Sequence, residues 1–86
     1  MSVILDKRGR RLSLLCAVRE LMRREWRCVF EPLLLEGMLY EMILGKHAAL
    51  TLSICECRER AAELRLPSPA EIGAASREAV RLWGED

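Results

Sequence analysis

Apolar positions along the chain fall into four runs, each with its own spacing. Leu15, Val18, Met22, Trp26 and Val29 recur three or four residues apart, which at about 100° per residue gathers them within roughly 80° of arc and predicts an amphipathic helix over 11–30. Leu12 and Phe30 widen this stripe on one side, Leu14 and Leu21 on the other. The opposite face carries Glu20, Arg23, Arg24 and Arg27, with Glu20 and Arg24 at the i,i+4 spacing of a solvated ion pair. Pro32 sets the next boundary, because it pushes Glu31 out of helical geometry and suits the first position of a new helix. Segment 32–44 holds two charges, Glu36 and Glu41, so apolar side chains surround most of its circumference. Such a helix belongs at the centre of a bundle or under a partner. Gly37 in its interior predicts close approach by another helix, and Gly45 is placed to end the segment as a C′ residue.

In segment 46–66, Leu50, Ile54, Cys57, Ala61 and Leu64 step by four and three, predicting one continuous helix whose heptad-like seam begins at His47. Its first half has Ala48, Leu52 and Cys55 opposite the seam and is apolar on both sides. Its second half is charged, with Glu56 and Arg60 one turn apart. The stretch Leu66-Pro67-Ser68-Pro69-Ala70-Glu71 reads as a helix start: Ser68 is the N-cap, Pro69 the first helical residue, and Glu71 completes a capping box. That helix runs to about Trp83 and ends at Gly84. Residues 1–10 stand apart as a basic N-terminal arm, in which Val3-Ile4-Leu5 is either part of a frayed end or a short strand without a local partner. The predicted fold is all-α: a small bundle of about four helices (11–30, 32–44, 46–66 and 69–83), built around a strongly apolar central helical hairpin, with 11–86 as a single domain.

Composition sharpens this expectation. The chain has 86 residues, of which 51% are hydrophobic, and a domain of that length buries only about two-thirds of the surface its unfolded chain exposes. The surplus lies in 32–57. It predicts an interface at Leu33, Leu34, Met38, Leu39, Met42, Ile43, Leu50, Leu52 and Ile54, covered by a second copy in a homodimer or by a helical protein partner. Charge suggests a second kind of partner. Residues 1–30 hold eight Lys/Arg against three acidic residues, net +5; residues 31–86 hold six against ten, net −4. Within the basic half, Arg8 and Arg10 of the arm, Arg11 directly after it, and Arg19, Arg23 and Arg27 at i, i+4 and i+8 of the first helix form a candidate nucleic-acid or anion-binding stripe. Glu20 and Glu25 interrupt that face, and aromatic residues for base stacking are missing from it, so nucleic acid is the less favoured partner.

Candidate chemistry is sparse. Cys55-Glu56-Cys57 with His47 upstream suggests a metal site, but i and i+2 on a helix point about 200° apart, so the two thiols cannot share an ion and no metal is expected. His47 has no orienting carboxylate or nucleophile near it in sequence, Ser13, Thr51 and Ser53 lack a nucleophile-elbow context, and there is no glycine-rich phosphate loop. No catalytic residue and no cofactor are therefore expected. The longest uncharged run, 47–55, is nine residues, too short to span a bilayer, and the apolar stretch before Arg19 lacks a cleavage site. With four cysteines outside any secretory context, the expectation is a cytoplasmic, non-enzymatic interaction, adaptor or regulatory protein.

Overall fold

Most helix starts in the protein are set by a side chain or a proline that deals with the first N–H groups of the helix. The computed structural model describes residues 3–5 and 11–84 and, from Ser13 onward, every side chain except those at 48 and 49. Ser13 accepts a hydrogen bond from the Cys16 N–H at 3.2 Å and opens α1, Leu14–Arg24. Pro32 occupies the first turn of α2, Pro32–Leu44, and Gly45 closes it at φ +94°, where its N–H bonds the Glu41 carbonyl. A short helix α3, Lys46–Thr51, follows directly. Both remaining helices begin with complete capping boxes, Ser53 with Glu56 for α4, Ile54–Glu63, and Ser68 with Glu71 for α5, Pro69–Arg81. The fold is an all-α bundle with one small strand pair attached.

Three boundaries differ from the sequence pattern, each for a local reason. Arg11–Ser13 is strand β2 rather than helix, and it pairs antiparallel with β1, Val3–Leu5, in the register Val3 to Ser13, Ile4 to Leu12 and Leu5 to Arg11. The apolar run of the arm thus does have a local partner. The first helix stops at Arg24 because Glu25 is extended (φ −139°, ψ 96°); its carboxylate accepts from the Arg27 N–H and starts a 3-10 helix, Trp26–Val29. The predicted helix 46–66 breaks after Thr51, where Ser53 leaves helical geometry to accept from the Glu56 N–H at 3.1 Å while Glu56 accepts from the Ser53 N–H at 3.2 Å. Two satisfied bonds at that break outweigh one extra helical turn.

Packing centres on α2, which touches α1, α3, α5 and the 3-10 helix, while α1 lies between α2 and α5. The core is Leu14, Ala17, Val18, Leu21 and Met22 of α1, Leu35, Leu39, Tyr40 and Met42 of α2, with Cys28, Cys57, Ala61, Ile72 and Ala79. Each fully buried leucine contributes about 2 kcal/mol. The Cα radius of gyration, 12.0 Å, equals the value of about 12 Å expected for a compact chain of this length. No close approach occurs at Gly37, where an added Cβ would meet nothing within 4 Å. Among the described residues no helix is long and apolar enough to cross a membrane.

Candidate functional site

The extended residue Glu25 has a consequence beyond ending α1. It resets the helical phase, so that Trp26 and Phe30, which would continue the buried stripe on an unbroken helix, turn outward and stand 65% and 74% exposed. Their rings meet edge to face at 6.2 Å with an interplanar angle of 74°. The C-terminal end of α5 brings Val80 and Trp83 beside them, and with Val29 these side chains enclose a groove of about 480 Å³. Three of the chain's four aromatic residues therefore lie at one exposed place, separated in sequence by more than fifty residues. Glu25 is itself paired: Arg27 donates to its carboxylate from Nε and Nη2 at 3.0 and 3.1 Å, which lowers the Glu25 pKa and raises that of Arg27. A second depression of about 230 Å³, lined by Arg19, Arg23, Trp83 and Gly84, shares Trp83 with the groove.

The hairpin expected to form the interface is distributed differently. Leu33 and Leu50 are exposed, Leu34, Met38, Ile43, Leu52 and Ile54 are half-buried against the core, and Leu39 and Met42 are core residues. Leu39 and Met42 are thus withdrawn from any interface of the folded chain. Beside the hairpin lies a groove of about 410 Å³ lined by Ile43, Leu44, His47, Thr51, Leu52, Arg60 and Leu64. The break at Ser53 separates Leu50, which is exposed, from the predicted seam, and Leu64, the residue just past the end of α4, is 57% exposed.

The arginine stripe is also divided. Arg8 and Arg10 lie outside the described residues, as does the Arg11 side chain; the Arg11 backbone is in β2. Because α1 stops at Arg24, Arg27 does not continue the i, i+4 row and is held by Glu25, and Arg24 pairs with Glu20 at 3.3 Å. Arg19 and Arg23 stay together one turn apart, beside Trp83 rather than along a track with the others.

One polar cluster lies inside the protein, and the sequence pattern gives little sign of it. Glu36, buried in α2, accepts from Arg58 Nε and Nη2 of α4 at 2.8 Å each and from the Tyr40 hydroxyl at 3.0 Å. The Arg58 bonds hold the Glu36 carboxyl below the usual carboxylate range; burial opposes them and the Tyr40 bond assists. Burial and the neighbouring carboxylate push the Tyr40 phenol well up. These bonds tie α4 to α2. The clue available in sequence is a lone Glu inside an apolar helix with Tyr four residues on. Cys28 is buried with its thiol 3.4 Å from the Met38 sulfur, and desolvation raises its pKa, which lowers its reactivity. Cys55 is exposed and Cys57 buried on α4, as two residues on opposite sides of a helix must be, and among the described residues no three His, Cys, Asp or Glu side chains converge on a metal position. His47 is exposed on α3, its carbonyl accepting from the Thr51 hydroxyl at 3.0 Å.

No family model, curated protein or solved structure matches the chain. Among the described residues the surface offers an aromatic groove, next to a depression lined by Arg19 and Arg23, and an aliphatic groove beside the hairpin.

Proposed function

We propose that the protein is a non-enzymatic interaction module, an adaptor or regulatory protein that holds a helical segment of a protein partner, or of a second copy in a homodimer, against its exposed apolar surface. One observation carries the proposal: Trp26, Phe30 and Trp83 are all more than half exposed and lie around the same groove. Aromatic side chains of this kind dominate association energetics. Covering roughly 100 Å² on each returns on the order of 2–3 kcal/mol apiece before the costs of ordering a partner. The aliphatic groove with Leu50 and Leu64 offers a second surface of the same character. Exposed free thiols at Cys16 and Cys55 suit action in a reducing compartment such as the cytoplasm.

A photo-crosslinking benzoylphenylalanine in place of Phe30, with the same group at exposed Ala62 on α4 as the control, tests the proposal in cells. The expected result is a discrete adduct from position 30, absent from position 62 and lost when Trp83→Ala is added. Diffuse labelling alike from both positions, together with a monomer by light scattering, would sink it.

A further inference from the structure

We propose that α4 is a latch: it undocks from α2 as a unit while α1, α2 and α5 stay packed, uncovering Glu36, Tyr40 and the Cys57 thiol.

Three features lead to it. The first is that the ends of α4 are closed within residues 53–66. Ser53 and Glu56 cap its start. At its end Arg65, at φ +57°, turns the chain so that the Leu66 N–H bonds the Ala61 carbonyl at 2.8 Å, beside the Leu64 N–H on the Arg60 carbonyl at 3.1 Å. Undocking breaks none of these terminal bonds, and the chain can bend outside them, before Ser53 and between Leu66 and Pro67. Pro67 is fully buried, so the chain is anchored again before α5 begins.

The second feature is a small apolar hold. Among the described residues α4 places Cys57 and Ala61 in the core, two small side chains, where α1 places five and α2 four. Ile54 is half-buried, and apart from Arg58 the rest of the helix is exposed. Hydrophobic stabilisation follows buried apolar area, so α4 is held less firmly than α1 or α2. The third feature is the nature of the polar tie. Arg58 reaches Glu36 with two bonds of 2.8 Å, yet its side chain is 37% exposed. When the pair parts, both charges regain water, which offsets much of the lost attraction. The pair thus fixes where α4 sits more than it holds the helix down. Cys57 lies close enough to Tyr40 of α2 to act on its phenol, so the same movement frees the thiol.

The test uses the full chain with Cys16→Ser and Cys55→Ser, which leaves the two buried thiols, Cys28 on the 3-10 helix and Cys57 on α4. Iodoacetamide modification of each is followed by peptide mass, and each rate is divided by that of the same thiol in the urea-unfolded chain. Cys57 is expected to react at least about tenfold faster than Cys28, at a rate that urea below the unfolding transition scarcely changes. Amide hydrogen exchange gives a second reading, in which residues 58–63 should exchange together, at least about tenfold faster than Leu21 and Leu39. Arg58→Met strands Glu36 only while α4 is docked, so it should speed the Cys57 reaction about threefold or more. Arg58→Lys, which keeps the charge but not the paired bonds, should move the rate the same way if Arg58→Met folds poorly. Glu36→Leu/Arg58→Met should bring it back to within about twofold of the parent. A Cys57 rate that climbs with urea in step with global unfolding, or exchange at 58–63 no faster than at Leu21 and Leu39, overturns the proposal, because α4 then opens only with the whole bundle. So does a fast Cys57 reaction that neither Arg58 variant changes, because the thiol is then reached without undocking.

Discussion

Replacing Arg58 with Met would strand the Glu36 carboxylate, 5% exposed, with only the Tyr40 hydroxyl to bond it. In the native protein Arg58 holds the pKa of Glu36 below its ordinary value of 4.5. A carboxylate lowered on folding contributes stability at neutral pH, and that contribution is lost as the pH falls through the folded pKa. Without Arg58 burial acts unopposed by the guanidinium, the folded pKa rises above the unfolded one, and the sign reverses: the variant loses most at high pH. The size has a ceiling, because the stranded carboxylate can always take up a proton. From its ordinary pKa of 4.5, protonation costs about 1.4 kcal/mol per pH unit, which limits the penalty to about 3.4 kcal/mol at pH 7 and to under about 1 kcal/mol at pH 5. Urea unfolding followed by circular dichroism at both pH values measures it for wild type, Arg58→Met and the double variant Glu36→Leu/Arg58→Met. The double variant removes the buried charge as well and is expected within about 1 kcal/mol of wild type, or above it, at both pH values. A loss in Arg58→Met that is the same at pH 5 and pH 7, or a double variant as damaged as the single one, would refute the argument.

Other substitutions test separate parts of the fold. Leu39→Ala should cost about 2–5 kcal/mol in urea unfolding and Leu50→Ala under about 0.5 kcal/mol, because the first is fully buried and the second is 72% exposed. Ser53→Ala removes the cap that starts α4 and should cost about 1 kcal/mol by the same measurement. Gly37→Ala, in the interior of α2 with open space at the new Cβ, should raise stability by about 0.5–1 kcal/mol; a loss would mean that the helix there is strained.

Much of the fold is legible in residue order alone. Pro32, Gly45 and the Ser68–Glu71 capping box mark the ends of α2 and the start of α5 because each acts within four residues of itself. Local chemistry was also present at Ser53 and Glu56, the same cap pattern, but the seam through Leu50, Ile54 and Cys57 favours one long helix, and spacing alone does not register that a cap interrupts it. At Glu25 the sequence offers less. A single extended residue changes the phase of everything after it, which is why the stripe from Leu15 to Val29 points correctly to Val18 and Met22 as core and wrongly to Trp26. The candidate site was the least legible part. Periodicity locates the apolar surplus in the hairpin, yet Leu39 and Met42 are consumed by the core, and the aromatic groove forms only when the end of α5 comes to rest beside the 3-10 helix. No local pattern announces that Trp26 and Trp83 will be neighbours, or that Arg58 will reach Glu36.

Both tryptophans of the chain stand in that groove, and the core holds none. Indole emission should therefore already be that of a partly hydrated ring in the native state and should change little when the helices melt, which would make fluorescence a poor clock for unfolding. Covering the groove dehydrates both rings at once and should shift their emission to the blue. The molecule carries an intrinsic reporter of occupancy that is nearly blind to the state of its own core.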